Sequence, residues 1–111
     1  MSEHEDKRAR FCELLRSTGR ENIEYVIEDL EAWGFFDAPA SVKNHYNFPG
    51  GLLAHSLSVY DAAVMLREGL IKARPDLEAK LPMDSVIIAS LLHDTCKANI
   101  YRIVTRKRKN E

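Results

Sequence analysis

The sequence predicts an all-α protein. Three observations carry that expectation: apolar residues recur at intervals of three and four through most of the chain, helix-stop glycines follow those runs, and no pair of alternating segments resembles a hairpin before Ile100. With 111 residues there is room for one core and little for a second. A composition of 45% apolar and 30% charged residues is that of a globular chain and unlike that of a disordered one.

The first helix is expected over Glu5–Ser17, where Phe11, Leu14 and Leu15 fall at i, i+3 and i+4 and Gly19 supplies the stop. The second, Glu21–Trp33, places Ile23, Val26, Ile27 and Leu30 on one stripe and ends at Gly34, so residues 1–34 read as a helical hairpin. From Phe35 to Gly50 the periodicity breaks among Pro39, Asn44, Asn47 and Pro49, and the segment reads as a loop or short turns. The third helix, Leu52–Ala73, is apolar over so wide an arc (Leu52, Leu53, Leu57, Val59, Tyr60, Ala63, Val64, Leu66, Leu70) that it should be central. Arg74–Pro82 is a polar connection with room for one short turn. Asp84 is placed to cap a fourth helix over Ser85–Thr95, whose VIIASLL core is helical rather than extended on the evidence of its flanks.

Several function classes are excluded or disfavoured. No run approaches the ~18 apolar residues that span a bilayer, and the charged start MSEHEDKRAR has no secretory apolar region, so a cytoplasmic location is the default expectation. Cys12 and Cys96 match no paired metal-ligand spacing and read as free thiols. A formal net charge of −1 creates no general attraction for nucleic acid; the basic RKRKN near the C-terminus reads either as a solvated run or as a phosphate contact.

The polar intrusions into the apolar helices are the informative residues. His55 follows Leu52 by three positions and precedes Val59 by four, so its ring emerges from an apolar stripe. A single histidine there suits a core imidazole bonded to a backbone carbonyl. His93 and Asp94 close another apolar helix, where a carboxylate is costly unless paired or bound to a cation. Adjacent helical residues point ~100° apart, yet both reach one ion if they occupy the last turn. Lys97 follows at i+4 from His93 and i+3 from Asp94; with Asp94 alone it would form only a surface ion pair of small energetic weight.

Taken together, HYNFPGGLLAHSLSV and SLLHDTCK resemble the HD-domain superfamily of metal-dependent phosphohydrolases, over about Asn44 to Tyr101. His55 matches the first histidine of its His...His-Asp...Asp ligand set, His93 and Asp94 the doublet, and Leu91, Leu92 and Lys97 the surrounding LLHDxxK pattern. The segment GGLLAHSLSV is similar to the turn and helix before the first ligand in a bacterial branch, where a further histidine precedes the glycines as His45 does here. The resemblance implies a helical bundle and hydrolysis of a phosphoester, with a phosphorylated small molecule, nucleotide or RNA as substrate. The alternative is a non-catalytic HD-type domain that binds a nucleotide or a protein partner.

Imidazole and carboxylate are borderline ligands that accept Mn²⁺, Fe²⁺, Ni²⁺, Zn²⁺ or Mg²⁺. Asp94 is expected to serve as ligand and as orienter of the attacking water, and Lys97 to clamp phosphate. His45 is a candidate extra ligand or a plain turn residue; Tyr46, Phe48 and Tyr101 are candidates for base stacking or for packing at the core rim. Gly50 and Gly51 suit either a flexible helix start or close backbone approach to a neighbour or ligand. The superfamily closes its site with a later Asp, yet residues 95–111 contain none. Asp61 lies ~240° around the helix from His55 and is a poor substitute. The tail IYRIVTRKRKNE alternates as the first strand of a hairpin does, so 1–111 is expected to be a single but incomplete domain with a short β remnant at its C-terminal end, binding metal weakly and turning over slowly.

Overall fold

The computed structural model describes residues 2–40 and 48–95. His45, Tyr46, Cys96, Lys97, Tyr101 and the alternating tail lie outside them. Within the described residues the fold is all-α: α1 (Glu3–Ser17), α2 (Ile23–Ala32), α3 (Gly51–Ala73), a 3₁₀ turn at Pro75–Glu78, and α4 (Met83–Leu92).

α1 begins two residues earlier than the periodicity places it, because Ser2 is its N-cap: the Ser2 hydroxyl accepts from the Glu5 backbone N–H at 3.1 Å, and Glu3, Glu5 and Asp6 complement the dipole of the first turn. Phe11, Cys12 and Leu15 form its buried stripe. α2 starts at Ile23 rather than Glu21, after Asn22 takes a left-handed backbone (φ 67°). It packs Ile27 and Leu30 toward α1 while Arg16 and Glu24 pair across the outside at 2.6 Å. That guanidinium holds the Glu24 carboxyl below the usual carboxylate range.

The end of α2 organises the core. Gly34 adopts φ 78°, its N–H donates to the Glu31 carbonyl at 3.0 Å, and the Phe35 N–H reaches back to the Leu30 carbonyl at 2.9 Å. This is a Schellman closure, and it turns Phe35 inward against Leu30. Phe35 and Phe36 then join Phe11 in a three-ring cluster with centroids 5.0–5.6 Å apart, all essentially inaccessible to water. The expected loop therefore supplies the centre of the core with its first two residues.

The same turn holds the start of α3. The carbonyls of Asp37 and Ala38 accept from the N–H groups of Gly50 and Leu52 at 3.0 and 2.9 Å, satisfying donors that a helix start leaves orphaned. Gly50 has φ 82°, and a Cβ there would lie 2.9 Å from Nδ1 of His4 on α1. The left-handed backbone calls for a glycine here, and the neighbour its missing Cβ leaves room for is His4 of α1. From this anchored start α3 buries Leu52, Leu53, Ala54, Ser56 and Leu57. Beyond them the helix is progressively exposed, so the expectation of a central helix holds only for its first two turns.

α4 returns against α3 and buries Ile87, Ser90 and Leu91. Its N-cap is Pro82, not Asp84: the Asp84 carboxylate accepts from the adjacent Ser85 N–H at 2.9 Å and pairs with Arg20. Pro82 supplies the extended backbone from which a helix starts, which moves the start two residues ahead of Ser85. The helix also stops three residues before Thr95, leaving His93, Asp94 and Thr95 in a closing turn. No described helix is long and apolar enough to cross a membrane.

Candidate metal centre

His55 sits on the second turn of α3, immediately after the stretch locked by Asp37, Ala38 and the leucine core. His93 and Asp94 sit in the turn that closes α4. Because α3 and α4 pack closely, the structure brings all three together: one donor atom from each lies within 4.8 Å of the others. Asp94 Oδ2 is 3.3 Å from His55 Nε2 and 2.9 Å from His93 Nε2, and the imidazole centroids are 5.7 Å apart. The side chains of His55, His93 and Asp94 are 31%, 36% and 21% exposed, so the cluster is supported on one side and open to water on the other.

The orientation of His93 has a specific cause. Its Nδ1 lies 2.7 Å from the Ser90 carbonyl, and a carbonyl only accepts, so Nδ1 carries the proton. In the neutral ring Nε2 then presents its lone pair toward the Asp94 oxygen 2.9 Å away. Two lone-pair atoms at that distance repel unless positive charge, either a second proton or a metal cation, lies between them. A backbone carbonyl fixing the outer nitrogen of an imidazole is the usual support of a metal-ligating histidine. Donor atoms about 2.1 Å from a shared ion lie roughly 3.0–3.4 Å from one another. The two separations from the Asp94 oxygen, 2.9 and 3.3 Å, are close to that range.

The other candidates fall as follows. His45 and Lys97 lie outside the described residues. Phe48 is exposed ahead of α3. Asp61 is held by Arg10 of α1 through contacts of 2.6 and 3.4 Å, away from the imidazoles. The element that sequence reasoning missed is the Ser90 carbonyl. Its position three residues before His93 was visible, but a backbone acceptor leaves no residue-type signal.

His93 also forms one end of a groove between α3 and α4. Val59, Ala63, Leu66 and Leu70 line one wall and Val86 and Ala89 the other.

No protein-family profile matches the chain, and no solved structure matches it. Among curated proteins it is similar to the 3'-5' exoribonuclease YhaM of Geobacillus sp. (strain WCH70), at 31% identity over 97 residues. The match takes in 84% of this chain but only 27% of the relative. The chain is therefore similar, over most of its length, to about a quarter of an exoribonuclease.

Proposed function

We propose that the protein is a metal-dependent phosphohydrolase of the HD type, acting on phosphodiesters of RNA or nucleotides through a divalent ion held by His55, His93 and Asp94. The observation that carries this reading is the convergence of two imidazole nitrogens on one carboxylate oxygen, with the Ser90 carbonyl turning the His93 lone pair inward. The similarity to an exoribonuclease supports the substrate class.

A bound divalent ion supplies Lewis-acid charge at a phosphoryl oxygen and lowers the pKa of a coordinated water toward neutrality. The chain does the rest. His55 from α3 and His93 from the turn after α4 would hold the ion through their imidazoles, and the Ser90 carbonyl fixes the His93 ring orientation. Asp94 would hold the ion through its carboxylate and is assigned to orient the attacking water. Lys97, three residues after Asp94, is assigned the phosphate clamp.

The test is calorimetric titration of chelator-stripped protein with Mn²⁺, Zn²⁺ and Ni²⁺, followed by hydrolysis of a labelled RNA. One equivalent of ion bound by the wild type and none by Asp94→Asn is expected. Lys97→Ala should keep the ion and weaken inorganic phosphate binding. Absence of saturable metal binding in the wild type would remove this function.

A further inference from the structure

We propose that the exposed second half of α3 is a dimer seam, on which a second copy of this chain packs its own α3 antiparallel about a two-fold axis at Leu66. From Val59 to Ala73 the helix carries a heptad pattern: Val59, Leu66 and Ala73 repeat every seven residues, Ala62 and Gly69 follow the first two at i+3, and Ala63 and Leu70 follow them at i+4. At ~100° and 1.5 Å per residue, all of these fall within about 60° of Leu66 on either side, in an uncharged strip roughly 21 Å long. The charged residues of the stretch, Asp61, Arg67, Glu68 and Lys72, lie outside that strip, in a chain that is 30% charged.

The strip is open to water. Leu66 and Leu70 are 66% and 41% exposed, Ala62, Gly69 and Ala73 are exposed, and nothing lies within 4 Å of where a Cβ on Gly69 would stand. Beside the strip runs the α3–α4 groove of about 360 Å³, whose second wall, Val86 and Ala89, is also uncharged. The polar groups in its lining are committed: Arg67 Nε donates to the Leu81 carbonyl, the Ser90 hydroxyl to the Val86 carbonyl and His93 Nδ1 to the Ser90 carbonyl, at 2.6, 2.7 and 2.7 Å. What this face offers an occupant is aliphatic contact, the surface that leucine side chains of another helix fill.

The residue sizes identify that helix as a second α3. An antiparallel two-fold at Leu66 places Val59 against the partner's Ala73, Ala62 against the partner's Leu70 and Ala63 against the partner's Gly69, with the two Leu66 side chains meeting on the axis. Large residues meet small ones off the axis, and the small pair of Ala63 and Gly69 lets the backbones approach. A parallel pair in register would instead set Leu70 against Leu70 and leave a gap at Gly69. A surface that is its own complement is what an isologous dimer requires. One helix pair is at the small end of specific interfaces, so association in the micromolar range is expected. Met65, ~100° round the helix from Leu66, stays outside the contact. His55 also lies outside, one turn before Val59, so the two candidate ion sites sit at opposite ends of the dimer.

The experiment is sedimentation equilibrium of the 111-residue protein over a wide concentration range, in excess chelator. A reversible monomer–dimer equilibrium with a micromolar Kd is expected. Leu66→Arg, which puts two like charges on the axis, should weaken it about tenfold or more. Leu70→Ala and Ala62→Leu should each weaken it severalfold, the first by leaving a gap and the second by crowding. The double variant Ala62→Leu, Leu70→Ala should recover the affinity, because it only exchanges the two sizes across the seam. All three positions are exposed, so circular dichroism should show unchanged folding. The seam is overturned by a protein that stays monomeric at every concentration, by a dimer indifferent to Leu66→Arg, or by a double variant that associates no more tightly than the single ones. Metal titration is independent of these outcomes: failure of the dimer leaves the proposed function standing, and failure to bind metal leaves the dimer standing.

Discussion

The two ends of α3 both carry large apolar residues and have opposite surroundings. At its start Leu52, Leu53 and Leu57 are 0%, 0% and 5% exposed; toward its end Met65, Leu66 and Leu70 are 73%, 66% and 41% exposed. Helical apolar periodicity is present in both, so periodicity does not decide burial. What differs is the covering. The first turns lie under α1, the Phe35–Phe36 turn and α4, while the later turns, among the described residues, pack against α4 and the Pro75–Glu78 segment and touch α1 through the exposed Arg10–Asp61 pair. His55 lies within the covered stretch, at the edge of its buried face with 31% of its side chain exposed. A metal ligand needs both conditions: a rigid backbone on one side, and an open face where water and substrate reach the ion.

The sharpest way to break this comparison is at the boundary itself. His55→Ala should reduce affinity for Mn²⁺ or Zn²⁺ by more than the roughly 10–100-fold typical of losing a supporting contact, because it removes a ligand. In chelator the variant should remain cooperatively folded with a modestly lower thermal midpoint, since the ring is 31% exposed and the rest of it is packed. Metal affinity unchanged in His55→Ala would separate the boundary position from any metal role.

Next in size is the covered stretch. Leu53→Ala, at a fully buried position, should cost about 2–5 kcal/mol in urea unfolding, as large-to-small core changes do. Phe35→Ala belongs in the same range of about 3–5 kcal/mol, although Phe35 lies in a turn, because its ring is 5.0 Å from Phe11 and 5.3 Å from Phe36. A cost below 1 kcal/mol at either position would show that the covering is not what holds this end.

Smaller, and aimed at the junction that locks α3, is Gly50→Ala. The left-handed φ of 82° should cost about 1–3 kcal/mol for a residue with a side chain, and the new methyl would press on His4. Pairing it with His4→Ala should recover the contact part of the loss and leave the backbone part. Full recovery in the double variant would mean that strain at φ contributes nothing.

The smallest effect is expected at the uncovered end. Met65→Gln should change unfolding free energy by no more than about 0.5 kcal/mol in either direction. A loss of several kcal/mol at this 73% exposed position would show that the chain covers this face in solution by some further contact.

Much of the fold was legible because helix periodicity and stop glycines are local. α1 ends at Ser17 and α3 at Ala73, where the pattern places them. The starts were less legible. The Ser2 cap added two residues to α1, and Pro82 rather than Asp84 began α4, since cap choice depends on which backbone the preceding chain already holds. Phe35 and Phe36 were hidden for a different reason: burial in a turn has no period to read, and only the Schellman closure at Gly34 directs them inward.

At the candidate site, residue type and spacing singled out His55, His93 and Asp94, because an imidazole or carboxylate in an apolar helix is costly unless partnered. The chain alone also settled the ordinary net charge, the absence of a membrane-length apolar run and the all-helical class, each of which depends on composition or on neighbours a few residues apart. Tertiary structure decided that three side chains from α3 and the turn after α4 share one space, that Ser90 orients His93, and that Gly50 stands against His4 with a left-handed backbone. It decided equally which end of α3 is core. These depend on contacts between residues dozens of positions apart, and such contacts exist only once α1, the Phe35 turn and α4 have closed around the first turns of α3.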